Sequence, residues 1–213
     1  MPEITTDFAR TLYRQADAAH AFDHVLRVTR LALHLARAEG ADAAIVRTAA
    51  LLHDVADERE NHHLAGAQRA RELLTDHPAP FVDAVAHCIE SHRFSAPPEP
   101  QTIEARCLND ADKLDAIGAI GVARAFAFGA SRGSRLWTHP LPELQQIIGP
   151  DRRAYRQQHG GSKDYTPSHE LLCKLEGLAE NMYTATARQM ARERHQFMLD
   201  FFRRLDAEAL GER

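Results

Sequence analysis

A run of small and branched apolar residues, Ala49, Ala50, Leu51 and Leu52, stops at His53 and Asp54, and two more acids, Asp57 and Glu58, follow at once. An imidazole and carboxylates grouped at one end of an apolar segment have two readings. They can be a capped or solvated helix end. They can also be ligands for a divalent cation, since imidazole nitrogen and carboxylate oxygen suit Mn, Fe, Co, Ni, Zn and, less well, Mg. On a helix His53 and Asp57 lie four residues apart, as do Asp54 and Glu58, and such pairs share a face. His53 and Asp54 are adjacent and diverge by about 100°. They can share an ion only if it sits between their directions.

One helix cannot enclose an ion, so other segments must contribute. His24 opens a helical stretch on the stripe continued by Val28, Leu31 and Leu35, and there it points into a bundle. The segment "LNDADKLDAIGAIG" (108–121) offers Asp110, Asp112 and Asp115 in an otherwise apolar helix. Asp110 and Asp112 point in opposed directions, so at most one of them serves as a ligand. Gly118 and Gly121 would let a neighbouring helix come close.

The spaced pattern of His24, His53–Asp54 and Asp112 resembles the HD superfamily of metal-dependent phosphohydrolases. The stretches "HVLRV", "AALLHDVAD", "ESHRFS", "NDADKLDAIGAIGVARAFAFG" and "KLEGLAENMYTATARQMARERHQFM" are similar to its YedJ/YpgQ-like branch, over nearly the whole chain. The resemblance implies an all-α fold and one divalent ion, manganese foremost, held by His24, His53, Asp54 and Asp112. It selects Asp112 over Asp110, because the family ligand precedes a Lys or Arg, here Lys113. It also carries over Asp57 and Glu58 as acids that position or deprotonate the attacking water. "HAFDH" departs from the branch pattern, with Ala21 where an aspartate is usual.

An ion with four protein ligands would leave room for a water and a phosphate oxygen, and would lower the pKa of that water. Lys113 would neutralise charge on the transferred group, or form a salt bridge to Asp115. His92 would donate a proton to the leaving group or bind phosphate. Arg27 would contact phosphate or pair with an acid. His62 and His63 are expected at solvent or capping a helix, with one able to reach the site edge. The implied activity is nucleotide pyrophosphohydrolysis. Phosphomonoesterase or phosphodiesterase activity is the runner-up, and a nucleotide-binding regulatory domain is the non-enzyme alternative.

The elements that must position these residues read as helices: about 4–19, 23–39, 43–57, 62–76, 79–92, 103–128, 168–182 and 185–208. Gly40 is a stop signal and Asp42 a cap. Residues 1–213 are expected to form one domain, with a core over about 20–128. Residues 129–166, rich in Gly, Pro and Arg, read as an irregular lid-like segment. Arg152 and Arg153 there either belong to a solvated loop or would draw in an anionic substrate. Tyr155 and Trp137 are expected to pack rather than stack on bases. The C-terminal helices carry apolar faces that permit a homodimer or simply serve the core.

The bulk composition excludes more than it selects. With 213 residues, 44% apolar, and a net charge of −4, the chain lacks the basic footprint of a nucleic-acid binder. No apolar run reaches the length of a membrane span. The start "MPEITTDFAR" lacks the layout of a signal peptide. The three cysteines, Cys88, Cys107 and Cys173, are widely spaced and match neither a metal motif nor a disulfide framework. They read as free thiols in a reducing cytoplasm.

Overall fold

Apolar residues at helical spacing dominate the chain, and a computed structural model, which describes residues 3–13, 22–56, 61–93 and 97–213, is all-α. Among the described residues there is no strand, and no single helix is long and apolar enough to cross a membrane. The residues group into two compact units: 1–115 with 183–187, and 116–182 with 188–213.

In the first unit, α1 (Thr6–Leu12) begins at Thr5, whose hydroxyl accepts from the Phe8 amide. Helix α2 (Phe22–Glu39) buries Val25, Val28, Ala32, Leu35 and Ala36 along one stripe. It stops at Gly40, which takes the left-handed φ of 74° that lets Ala41 N bond back to Ala36 O. The Asp42 carboxylate accepts from the Ala44 and Ile45 amides and so starts α3 (Ala43–Leu52). Val46 and the run from Ala49 to Leu52 are fully buried, as expected of a helix apolar on most of its surface. Helices α4 (His62–Leu73), α5 (Ala79–Glu90) and α6 (Ile103–Asp115) complete the unit. Helix α2 packs on α3 and α6, α3 on α5, and α4 on α5. The short segment Tyr183–Ala187 is held by Asp110, whose carboxylate accepts from Tyr183 N, Thr184 N and the Thr184 hydroxyl.

The second unit comprises α7 (Gly118–Ser131), α8 (Leu141–Ile148), α9 (Arg152–His159), α10 (Pro167–Glu170), a π-helical turn (Leu171–Leu175), α11 (Glu176–Leu178) and most of α12 (Ala185–Ala209). Asp206 on α12 accepts from Trp137 Nε1 at 2.9 Å and from Leu141 N at 2.8 Å, tying down the start of α8. Glu170 accepts from Arg156 and from the Tyr165 hydroxyl.

Three sequence expectations change. The helix expected over 43–57 stops at Leu52, and His53–Asp54 form a turn closed by Val55 N on Leu52 O. The helix expected over 103–128 is broken at Ala116–Ile117, because Gly118 adopts φ +77°. The stretch 129–166 is not wholly irregular: it holds α8 and α9. Leu141, Leu144 and Ile148 are buried at helical spacing, and Asp151 caps α9 by accepting from Ala154 N.

Candidate metal centre

Three buried histidines point one ring nitrogen inward because something else holds the other. At the C-terminal end of α3, His53 Nδ1 lies 2.8 Å from Ala50 O. Just past α5, His92 Nδ1 lies 2.7 Å from Ile89 O. A carbonyl oxygen only accepts, so each Nδ1 carries a proton, and in the neutral ring Nε2 holds the lone pair. On α2, His24 Nδ1 lies 2.8 Å from Asp115 Oδ2. Asp115 is itself clamped by Arg27, with Nε at 2.7 Å and an Nη at 3.1 Å, and Arg27 also reaches Asp23. Burial would raise the Asp115 pKa, but His24 and Arg27 hold it well below the usual carboxylate range. The backbone around His92 is pinned from α6, where the Asn109 amide donates to Ser91 O and His92 O at 2.8 and 3.0 Å.

The inward atoms converge. His24 Nε2 is 3.4 Å from His53 Nε2, 3.6 Å from Asp54 Oδ2 and 3.4 Å from Asp112 Oδ1. His53 Nε2 is 3.4 Å from Asp54 Oδ2. His24 Nε2 thus faces three other electron-rich atoms, and while the rings are neutral none of the four is a donor. That arrangement needs positive charge at its centre. Ligand atoms about 2.0–2.2 Å from one ion lie roughly 3–3.6 Å apart, so the spacing fits a shared divalent cation. Without a cation, a proton is the remaining source of charge. Burial disfavours an imidazolium at His53, yet the Asp54 and Asp112 carboxylates outweigh it and raise its pKa to about 9. Burial likewise opposes charge on Asp54, and His53 and His92 outweigh it, holding Asp54 well below its ordinary value.

The second oxygen of Asp54 faces elsewhere. Oδ1 is 3.6 Å from His92 Nε2 and 3.8 Å from His62 Nε2 at the start of α4. His62 is therefore the one of the 62–63 pair that reaches the site edge. His63 is buried, with Nε2 3.3 Å from Pro97 O.

The other expected residues fall as follows. Asp110 and Asp112 do point apart: Asp112 joins the cluster, while Asp110 holds the 183–184 backbone. Lys113, expected at the phosphate or beside Asp115, is 1% exposed with Nζ 3.2 Å from Asp110 Oδ1 and 4.5 Å from the Tyr183 ring centroid. Arg27 is engaged with acids and stands behind His24. Arg152 lies in the second unit, donating to Leu172 O and Glu176. Asp57 and Glu58 lie outside the described residues. The part of Asp115 in orienting His24 was not foreseen. Its signal was available: it lies one turn beyond Asp112 on the same helix, where a carboxylate can stand behind a ligand.

The sequence matches the HD domain model over residues 21–117. It is 33% identical to the uncharacterized protein YpgQ of Bacillus subtilis, covering 96% of this chain and 91% of that protein. The crystal structure of B. subtilis YpgQ in complex with ADP superposes with a TM-score of 0.70 at 32% identity, covering 96% of this chain and 97% of that one. A crystal structure of an HD-superfamily hydrolase from Bacillus thuringiensis gives a TM-score of 0.71 at 30% identity, covering 95% and 93%.

Proposed function

The chain belongs to the HD domain family and is a metal-dependent phosphohydrolase, and from that premise we propose that it cleaves a phosphoanhydride bond in a small nucleotide, releasing a monophosphate and pyrophosphate. One observation carries the reading: His24 Nε2 lies 3.4–3.6 Å from donor atoms of His53, Asp54 and Asp112. A nucleotide substrate is supported by the ADP complex of YpgQ.

A divalent ion held there, manganese foremost, would polarise the phosphorus centre and make a water acidic enough to attack near neutral pH. The chain's own residues do the rest. His24, His53, Asp54 and Asp112 fix the site, and Arg27 and Asp115 keep the His24 ring from turning. Asp57 and Glu58 are proposed to position the attacking water or accept its proton. His92, proposed at the phosphate or leaving group, has Nε2 3.6 Å from Asp54 Oδ1, so what it binds lies within reach of that carboxylate. Lys113, held against Asp110, supports the scaffold in this reading.

Purified protein with Mn²⁺ and a panel of nucleoside di- and triphosphates should release pyrophosphate and monophosphate from at least one triphosphate. Orthophosphate released from a nucleoside monophosphate would make it a phosphomonoesterase, and cleavage of a diester a phosphodiesterase. Tight nucleotide binding without turnover by metal-loaded protein would make it a regulatory domain. Asp54→Ala should abolish metal retention and turnover together. Full metal occupancy in that variant would overturn the ligand assignment.

A further inference from the structure

We propose that a cleft in the second unit binds a phosphoryl-type oxyanion, held by Arg132, Arg156 and the turn at Gly160–Gly161. None of the proposed metal ligands lines it, so the inference stands apart from the metal-dependent reading.

The cleft encloses about 220 Å³. That is smaller than the roughly 300–1,000 Å³ of pockets for drug-sized molecules, so its occupant is small. The charge of the walls says what kind of occupant. Arg132, just past α7, has Cζ 4.0 Å from the Phe128 ring centroid and donates Nη1 to Gly160 O at 3.0 Å. These contacts hold the guanidinium in place, yet among the described residues no carboxylate pairs with it. Arg156 on α9 meets Glu170 through Nε and Nη2 at 3.1 and 3.2 Å, so its Nη1 lies outside that pairing. Glu170 is the one carboxylate among the lining residues, and it is already neutralised. It accepts from the Tyr165 hydroxyl at 3.0 Å and lies 3.6 Å from Lys174 Nζ. Three cations thus stand against one anion. Guanidinium forks match the oxygens of phosphate.

The glycine turn adds a backbone donor. An added Cβ at Gly160 would lie 2.6 Å from Arg156 O, so the end of α9 itself excludes a side chain there. Gly161 is different. An added Cβ would meet nothing within 4 Å, and φ is not left-handed. Neither packing nor backbone conformation therefore requires glycine at 161, and the space it leaves open borders the cleft. Its amide donates to no acceptor among the described residues. A bare N–H beside an unpaired guanidinium is a ready pair of donors for an oxyanion. Donors from three separate segments suit a tetrahedral phosphoryl group better than a planar carboxylate.

Full-length protein stripped of metal with a chelator is titrated calorimetrically with orthophosphate, pyrophosphate and AMP, and with acetate as the carboxylate control. Chloride in the buffer screens general charge attraction. Wild type should show saturable one-to-one binding of at least one phosphate ligand. Orthophosphate or pyrophosphate binding identifies a free anion as the guest, and binding of AMP alone identifies the phosphate of a nucleotide. Arg132→Gln should weaken it about 10–100-fold, as expected for loss of a charge-assisted hydrogen bond. Gly161→Leu, which fills the cleft without removing charge, should abolish it. Asp54→Ala, in the first unit, should leave it unchanged. Circular dichroism checks each fold, and if Arg132→Gln does not fold, Gly161→Leu decides. No saturable binding by folded wild type overturns the site, as does acetate binding as tightly as phosphate. Binding that survives both second-unit substitutions, or that disappears in Asp54→Ala, also overturns it.

Discussion

At the residue scale, the geometry of the proposed centre depends on groups that stand behind its ligands. His24 presents Nε2 inward because Asp115 holds Nδ1, and Asp115 stays ionised because Arg27 clamps both its oxygens. Asp115→Asn should keep the shape and a hydrogen bond but remove the charge that makes His24 a better ligand. The expected result is metal affinity lowered by about 10–100-fold with the fold retained, read by competition against a fluorescent chelator. An unchanged affinity would limit Asp115 to a structural salt bridge. His24, His53, Asp54 and Asp112 were legible in the sequence because ionisable groups stood on apolar stripes and matched a family pattern. Asp115 was not, and the sequence left open whether His62 or His63 reaches the site edge, since these parts depend on which neighbour each faces across the bundle.

At the element scale, helix ends carry the chemistry and the stability. Helix α10 starts with Thr166, whose amide donates to His169 Nδ1 at 3.1 Å, with its hydroxyl 2.9 Å from the same nitrogen. Burial lowers the His169 pKa to about 4, and the neighbouring His139 and His159 add to the shift. The unfolded chain, with an ordinary histidine pKa near 6.5, binds the proton more readily. Stability from this cap is therefore complete above about pH 6.5 and is lost as the pH falls toward 4, by roughly 2–3 kcal/mol in all. Urea midpoints at pH 7 and 4.5 should show a smaller drop for His169→Gln, which can keep the capping box without titrating. An equal drop in both proteins would assign the acid sensitivity to other groups. Helix existence was readable from periodicity, but ends were not. Leu52 ends α3 although polar residues beyond it would tolerate more helix. The break before Gly118 was hidden because glycine can stand within a helix as well as end one, and only its φ of 77° decides.

At the scale of the whole molecule, the proposed ligands come from α2, the end of α3 and α6, so an ion would bind only where these have packed together. Binding to the folded form alone must then stabilise it. Mn²⁺ at a hundredfold excess over its dissociation constant should contribute about 2.7 kcal/mol and raise Tm by about 5–10 °C. Asp54→Ala should show no such shift in a thermal melt with and without chelator. A rise equal to wild type would mean that the ion binds elsewhere.

The sequence by itself determined the all-α class and the family, and it nominated His24, His53, Asp54 and Asp112 as metal ligands, because these follow from residue types at helical spacing, which chain connectivity preserves. Only the tertiary structure decided that Asp54 presents its two oxygens to two groups of histidines, and that Lys113 and Arg27 are committed to Asp110 and Asp115. Those outcomes depend on distances between segments far apart in the chain, and such distances are set by packing, not by spacing along the backbone.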